Sequence, residues 1–149
     1  MTTPSIHPAP APPGAEPNAL PGGPARKPRL LWANVYCLLD SSTGASMTVR
    51  EMLRQLAGAG YDIRILGASV FDDERGTAGL LGQWPAVRAR RGEVLTLGDG
   101  PLEHRILITA DTRRDAMTCA EERRWFLLYR QALDRVRPDV GFYYGGQPL

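Results

Sequence analysis

Residues 29–69 read RLLWANVYCLLDSSTGASMTVREMLRQLAGAGYDIRILGAS, and the order of patterns within this stretch decides the fold. Residues 29–39 are a nearly continuous apolar run, as in a strand covered on both faces. Small and polar residues, 40–46, then make a loop. Val49, Met52, Leu53 and Leu56 recur at helical spacing, which predicts a helix over residues 47–59 with either Ser46 or a Thr48/Glu51 capping box at its start. Gly58 and Gly60 end it, and residues 61–69 (YDIRILGAS) read as a second strand. Strand, helix and strand make a βαβ unit.

Working outward, residues 72–83 read as a connection with one short helix at 77–81. Residues 93–97 and 105–109 read as short strands around the turn signal Asp99-Gly100. Thr118 and Glu121 form a capping box, and Trp125, Leu128, Tyr129, Ala132, Leu133 and Val136 share one face of the helix that follows, as far as Pro138. Residues 139–144 (DVGFYY) are a last strand leading into Gly145-Gly146-Gln147-Pro148-Leu149. This alternation predicts an α/β, Rossmann-like chain: a mostly parallel sheet with flanking helices, of which only one βαβαβ half is present. The last strand lies across the switch point and leaves one sheet edge unpaired.

At the other end, residues 1–28 are rich in Pro, Ala and Gly and carry almost no large apolar side chain. They read as a disordered tail in preference to a polyproline docking segment. The chain has 149 residues, 43% of them hydrophobic, which suits one soluble domain. Its 18 Lys+Arg against 16 Asp+Glu give a formal charge of +2, too even for nucleic-acid binding by bulk electrostatics. Cys37 and Cys119 have neither CxxC spacing nor a histidine cluster beside them, so they read as small buried hydrophobes rather than a metal or redox site. Neither a membrane span nor a secretory signal is visible, and the expectation is cytoplasmic.

In an open parallel sheet the ligand crevice lies at the carboxyl ends of the strands where the winding reverses. Two loops converge there, residues 40–46 and 145–149. The first enters a helix N-terminus, and Gly44 lets a phosphate approach the backbone. Neither GxGxxG nor GxxxxGK[ST] is present, and a tight turn with a serine cap explains the same residues. In the second, Tyr144 and Gln147 stack on and hydrogen-bond to a sugar if Gly145 and Gly146 admit one; an ordinary strand-to-loop turn is the simpler reading. Glu121 and Glu122 belong to the first helical turn, Arg88, Arg90 and Arg91 to a solvated loop, His104 to the surface and His7 to the tail. No catalytic or metal constellation is assigned.

Residues 40–53 (DSSTGASMTVREML), 65–72 (ILGASVFD) and 137–140 (RPDV) running into Tyr143-Tyr144-Gly145-Gly146 together resemble the N-terminal half of family 4 (group 1) GT-B glycosyltransferases. The resemblance spans residues 29–149. It implies that Ser42, Thr43, Gly44, Ala45 and Ser46 line an acceptor pocket and approach the donor diphosphate. The family's usual Gly-Gly is represented by Thr43-Gly44 followed by Ala45-Ser46. Tyr144, Gly145, Gly146 and Gln147 are implied to border the same cleft. No histidine role is carried over, and the donor-binding domain with its acidic EX7E motif falls beyond Leu149. The expectation is therefore a chain inactive alone, whether a fragment, a truncated reading frame or one subunit of a split enzyme. Its partners are a donor-binding domain and a sugar or glycan acceptor, its donor a nucleotide-sugar, and it needs no cofactor. The alternatives are an acceptor-binding subunit and a non-catalytic Rossmann-like remnant.

Overall fold

The computed structural model describes residues 26–144. Its architecture is α/β and Rossmann-like. Five strands, β1 (Arg29–Asn34), β2 (Asp62–Ala68), β3 (Val94–Asp99), β4 (Leu102–Leu107) and β5 (Val140–Tyr144), form one sheet in the order β3-β4-β2-β1-β5. Pairing is parallel except between β3 and β4, which form an antiparallel hairpin at one edge. Helices α1 (Gly44–Gly58) and α2 (Glu74–Gln83) lead outward from β1 to β2 and from β2 toward β4. The third helix, α3 (Cys119–Val136), carries the chain back across the sheet, so that β5 pairs with the other side of β1. The winding reverses between β1 and β5.

Strand alternation divides the core between two faces. Leu31, Ala33, Leu66, Ala68 and Leu107 point to one side and pack with Trp125 and Ala132 of α3. On the other side Leu30, Ile63, Ile65 and Leu102 pack with Leu53 of α1, while Ile106 packs with Leu80 of α2 and with Val87. Val87 belongs to a 3-10 turn, Pro85–Arg90, between α2 and β3.

Several sequence expectations shift. The first strand ends at Asn34 rather than residue 39, because the Asn34 side-chain oxygen accepts the Tyr36 N–H at 3.0 Å and bends the chain. Beyond it Cys37, Leu38 and Leu39 remain buried, tied alongside β2 by Cys37 N–H donating to Val70 O at 2.7 Å. Helix α1 starts at Gly44 and is capped by Thr43, whose hydroxyl accepts the Ser46 N–H; neither Ser46 nor Thr48 caps it. Helix α2 is longer than its apolar signal because Asp73 caps it, accepting from Arg75 and Gly76 N–H. Strand β4 begins at Leu102, three residues before the expected start, since the Asp99-Gly100 turn closes the hairpin at once and Gly100 takes the positive φ of 59°.

The disorder expected for residues 1–28 lies outside the described residues for 1–25. Residues 26–28 are attached to the sheet: Arg26 donates to Asp139 at 2.6 Å, and Pro28 O accepts the Asp62 N–H. Cys37 is buried, and burial pushes its thiol up to about 12. Cys119, expected buried, is exposed because it occupies the first turn of α3, away from the Trp125 face. His104, expected at the surface, is fully buried in β4 between Leu102 and Ile106. No helix among the described residues is long and apolar enough to cross a membrane.

Candidate functional site

The carboxyl end of β1 and the start of α1 adjoin the reversal of winding, where an open parallel sheet forms its crevice. The Thr43 hydroxyl takes the Ser46 N–H and the Thr43 carbonyl takes the Met47 N–H at 3.2 Å. That leaves the Gly44 and Ala45 N–H groups as the free donors of the first turn. A Cβ on Gly44 would meet nothing within 4 Å, so no neighbouring atom crowds the backbone at that position. Ser42, Thr43 and Ser46 are half-buried, and Gly44 and Ala45 exposed.

Asp40 had no assigned role, and the structure gives it one. Its carboxylate is buried, 2% exposed, and its Oδ1 accepts from both the N–H (2.8 Å) and the hydroxyl of Ser42. Helix α2 crosses directly against it: a Cβ on Gly76 would lie 2.6 Å from Asp40 Oδ1 and 2.7 Å from Phe71. Only glycine permits that approach. The first turn of α2 thus packs side-on against a carboxylate removed from water, which holds loop 40–46 against α2, while the free N–H groups at the start of α2 go to Asp73.

Of the second predicted loop, the structure describes β5 as far as Tyr144, paired with Asn34. Gly145, Gly146 and Gln147 lie outside the described residues, so the convergence of the two loops rests on the pairing of β1 with β5.

A second concavity lies one strand further along the same end of the sheet. It holds about 270 Å³ and is bounded by the ends of β2 and β4, by α2 and by the turn that follows α2. Ser69 and Thr109 are buried in it with their hydroxyls 2.8 Å apart, while Arg88 and Arg91 line its exposed part. Sequence reading placed these arginines in a solvated loop; no local pattern links them to Ser69 and Thr109, which follow the ends of two adjacent parallel strands. Arg90, by contrast, pairs with Glu93 at 3.2 Å.

The remaining candidates are structural. Glu121 completes the capping box of α3, and Glu122 pairs with Arg114 at 2.7 Å. His104 lies nearer the amino end of β4 with Asp99, Arg50 and Arg54, away from the crevice. Among the described residues no group of three or more His, Cys, Asp or Glu is placed to hold a metal.

No protein-family model matches the chain, and no match was found among curated proteins or solved structures. Function is therefore argued from the fold and these two concavities.

Proposed function

We propose that the chain forms the acceptor side of a cleft in which a sugar passes from a nucleotide-sugar to a sugar or glycan acceptor, with a donor-binding domain or subunit forming the other wall. The observation that carries this reading is the open first turn of α1, whose Gly44 and Ala45 N–H groups stand free beside the reversal between β1 and β5. A helix start of this kind suits a diphosphate oxygen. Ser42, Thr43 and Ser46 supply hydroxyls around it, and Tyr144, Gly145, Gly146 and Gln147 complete the border in the proposal. No side chain of this chain is assigned to bond cleavage, and a cytoplasmic setting belongs to the same reading.

One observation favours a non-catalytic Rossmann-like protein instead. The buried Asp40 carboxylate lies within loop 40–46 itself, held by Ser42, and opposes a second negative charge brought to the same loop. Titrating the full chain with a nucleotide-sugar and following backbone amide resonances separates the two. The transfer reading expects shifts at Gly44 and Ala45, at least about tenfold weaker binding in Gly44→Val with an unchanged melting temperature, and no released nucleotide from the chain alone. Turnover by the lone chain, or affinity unaltered in Gly44→Val, would overturn it.

A further inference from the structure

The cleft between α2, the Pro85–Arg90 turn and the ends of β2 and β4 has no part in the sugar-transfer reading, yet it is built as a binding site. Its arginines stand on an anchored support. Val87 is buried beneath the turn, Gly92 N–H donates to Ile108 O at 2.7 Å, and Ile108 N–H donates to Glu93 O at 2.8 Å. These bonds hold the backbone immediately after Arg91 against the strand end. Neither Arg88 nor Arg91 has a carboxylate within 4.0 Å among the described residues.

Beneath them, polar groups are left with capacity to spare. The Ser69 and Thr109 hydroxyls share one hydrogen bond at 2.8 Å, and Ser69 Oγ also accepts the Thr109 N–H at 2.9 Å. Two hydroxyl protons serve that single bond. The second has at best a 3.4 Å contact from Thr109 to Ser69 O, too long for a good hydrogen bond. Thr77, on the wall formed by α2, has a hydroxyl oxygen that is buried and has no partner among the described residues. A buried hydroxyl left unpaired costs stability, and it is retained here on the lining of a cavity.

Leu80, Leu81, Val87 and Ile108 give the cleft an apolar wall, and Asp111 brings one carboxylate to it. The Arg113 N–H, 2.9 Å away, holds the Asp111 carboxyl below the ordinary carboxylate range. A bare anion gains from the arginines and loses to Asp111. A ligand with an anionic end and hydroxyl groups satisfies both, because a carboxylate accepts from hydroxyls.

We propose that this cleft binds a small phosphorylated polyol of about monosaccharide size, its phosphate held by Arg88 and Arg91 and its hydroxyls met by Asp111, Thr77 and the Ser69–Thr109 pair. Guanidinium groups match phosphate oxygens in pairs, and a volume of about 270 Å³, just under the roughly 300–1,000 Å³ of drug-sized sites, limits the ligand to a small one. The assignment is independent of sugar transfer, and its probe contains no nucleotide.

The test titrates the full chain with glucose 6-phosphate, inorganic phosphate and glucose, using calorimetry for affinity and amide resonances for location. Glucose 6-phosphate should shift Ser69, Arg91 and Thr109 and bind more tightly than inorganic phosphate, while glucose leaves those resonances unmoved. Arg88→Ala with Arg91→Ala should weaken the sugar phosphate by at least about tenfold at unchanged melting temperature, since both side chains are exposed. Thr77→Val should weaken it severalfold while leaving the melting temperature equal or higher, an outcome a merely structural hydroxyl would not produce. Absence of binding, binding undiminished in the double variant, or inorganic phosphate binding as tightly as the sugar phosphate would each overturn the proposal.

Discussion

At the scale of single residues, His104 shows how far burial overrides the chemistry of an isolated side chain. Its imidazole is 0% exposed, and neither ring nitrogen has a hydrogen-bond partner among the described residues. The 3.7 Å separation from Asp99 Oδ2 is too long for a hydrogen bond, and Asp99 is already gripped by Arg54 with both oxygens at 2.8 Å. Burial pushes His104 down to about 4, with Asp99 opposing and Arg50 and Arg54 adding to the fall. The unfolded chain therefore binds a proton near the ordinary value of about 6.5 that the folded chain refuses until about 4. Stability from this site is complete above about pH 6.5 and is lost as pH falls toward about 4. Urea unfolding should give a stability about 2 kcal/mol lower at about pH 5 than at about pH 7.5 on account of this residue. The His104→Leu variant should lack that component and be no less stable at about pH 7.5, because it removes an unpaired polar ring. A pH dependence identical in the two proteins would show that the imidazole does not titrate this way.

Among the elements, α3 has the most strongly specified start. Thr118 Oγ1 accepts the Glu121 N–H at 3.3 Å, and Glu121 Oε2 accepts the Thr118 N–H at 2.9 Å. The other carboxylate oxygen, Oε1, accepts the Ala110 N–H at 2.7 Å, so the cap also fastens the segment after β4 that lines the cleft. Thr118→Ala should cost about 1 kcal/mol, as for a lost helix cap. Glu121→Ala keeps the Thr118 hydroxyl on the backbone N–H of residue 121 but removes the carboxylate bonds to Thr118 N–H and Ala110 N–H together, and should cost about 2 kcal/mol. Chemical denaturation orders the two variants, and equal losses would mean that the bond to Ala110 contributes nothing. The box was legible because its two residues stand three apart immediately before an apolar repeat. The start of α1 was not legible for a related reason. Thr43, Ser46 and Thr48 all have cap chemistry, and the first turn holds only small residues whose spacing says nothing about phase.

For the whole molecule, the consequential feature is the β5 edge. Among the described residues β5 has one sheet neighbour, β1. Its Val140 and Phe142 are 40% and 45% exposed on the face shared with Trp32, whereas Tyr143 packs on the other face against Trp125 and Tyr129. A strand edge with apolar side chains beside it is a template for further pairing. The chain should associate as its concentration rises, and Phe142→Lys should shift it toward monomer in sedimentation velocity at a cost of about 1 kcal/mol for the lost ring contact with Trp32. A monomeric wild-type chain at all concentrations would remove the edge as a site of association.

The amino-acid sequence by itself determined the α/β alternation, the βαβ unit at residues 29–69, the α3 capping box and the hairpin turn at Asp99-Gly100. Each is a local matter of periodicity, cap chemistry or turn residues, recorded in neighbours a few positions apart. Tertiary structure alone decided the register of β5 beside β1, that Gly76 must be glycine because Asp40 lies against it, and that His104 is enclosed. It also brought Ser69, Thr77, Arg88, Arg91, Thr109 and Asp111 into one cleft. Those residues are spread over 43 positions, from Ser69 to Asp111, and no local pattern links them. Their proximity comes from parallel pairing of β2 with β4, which sets two strand ends side by side while the chain between them folds over the top.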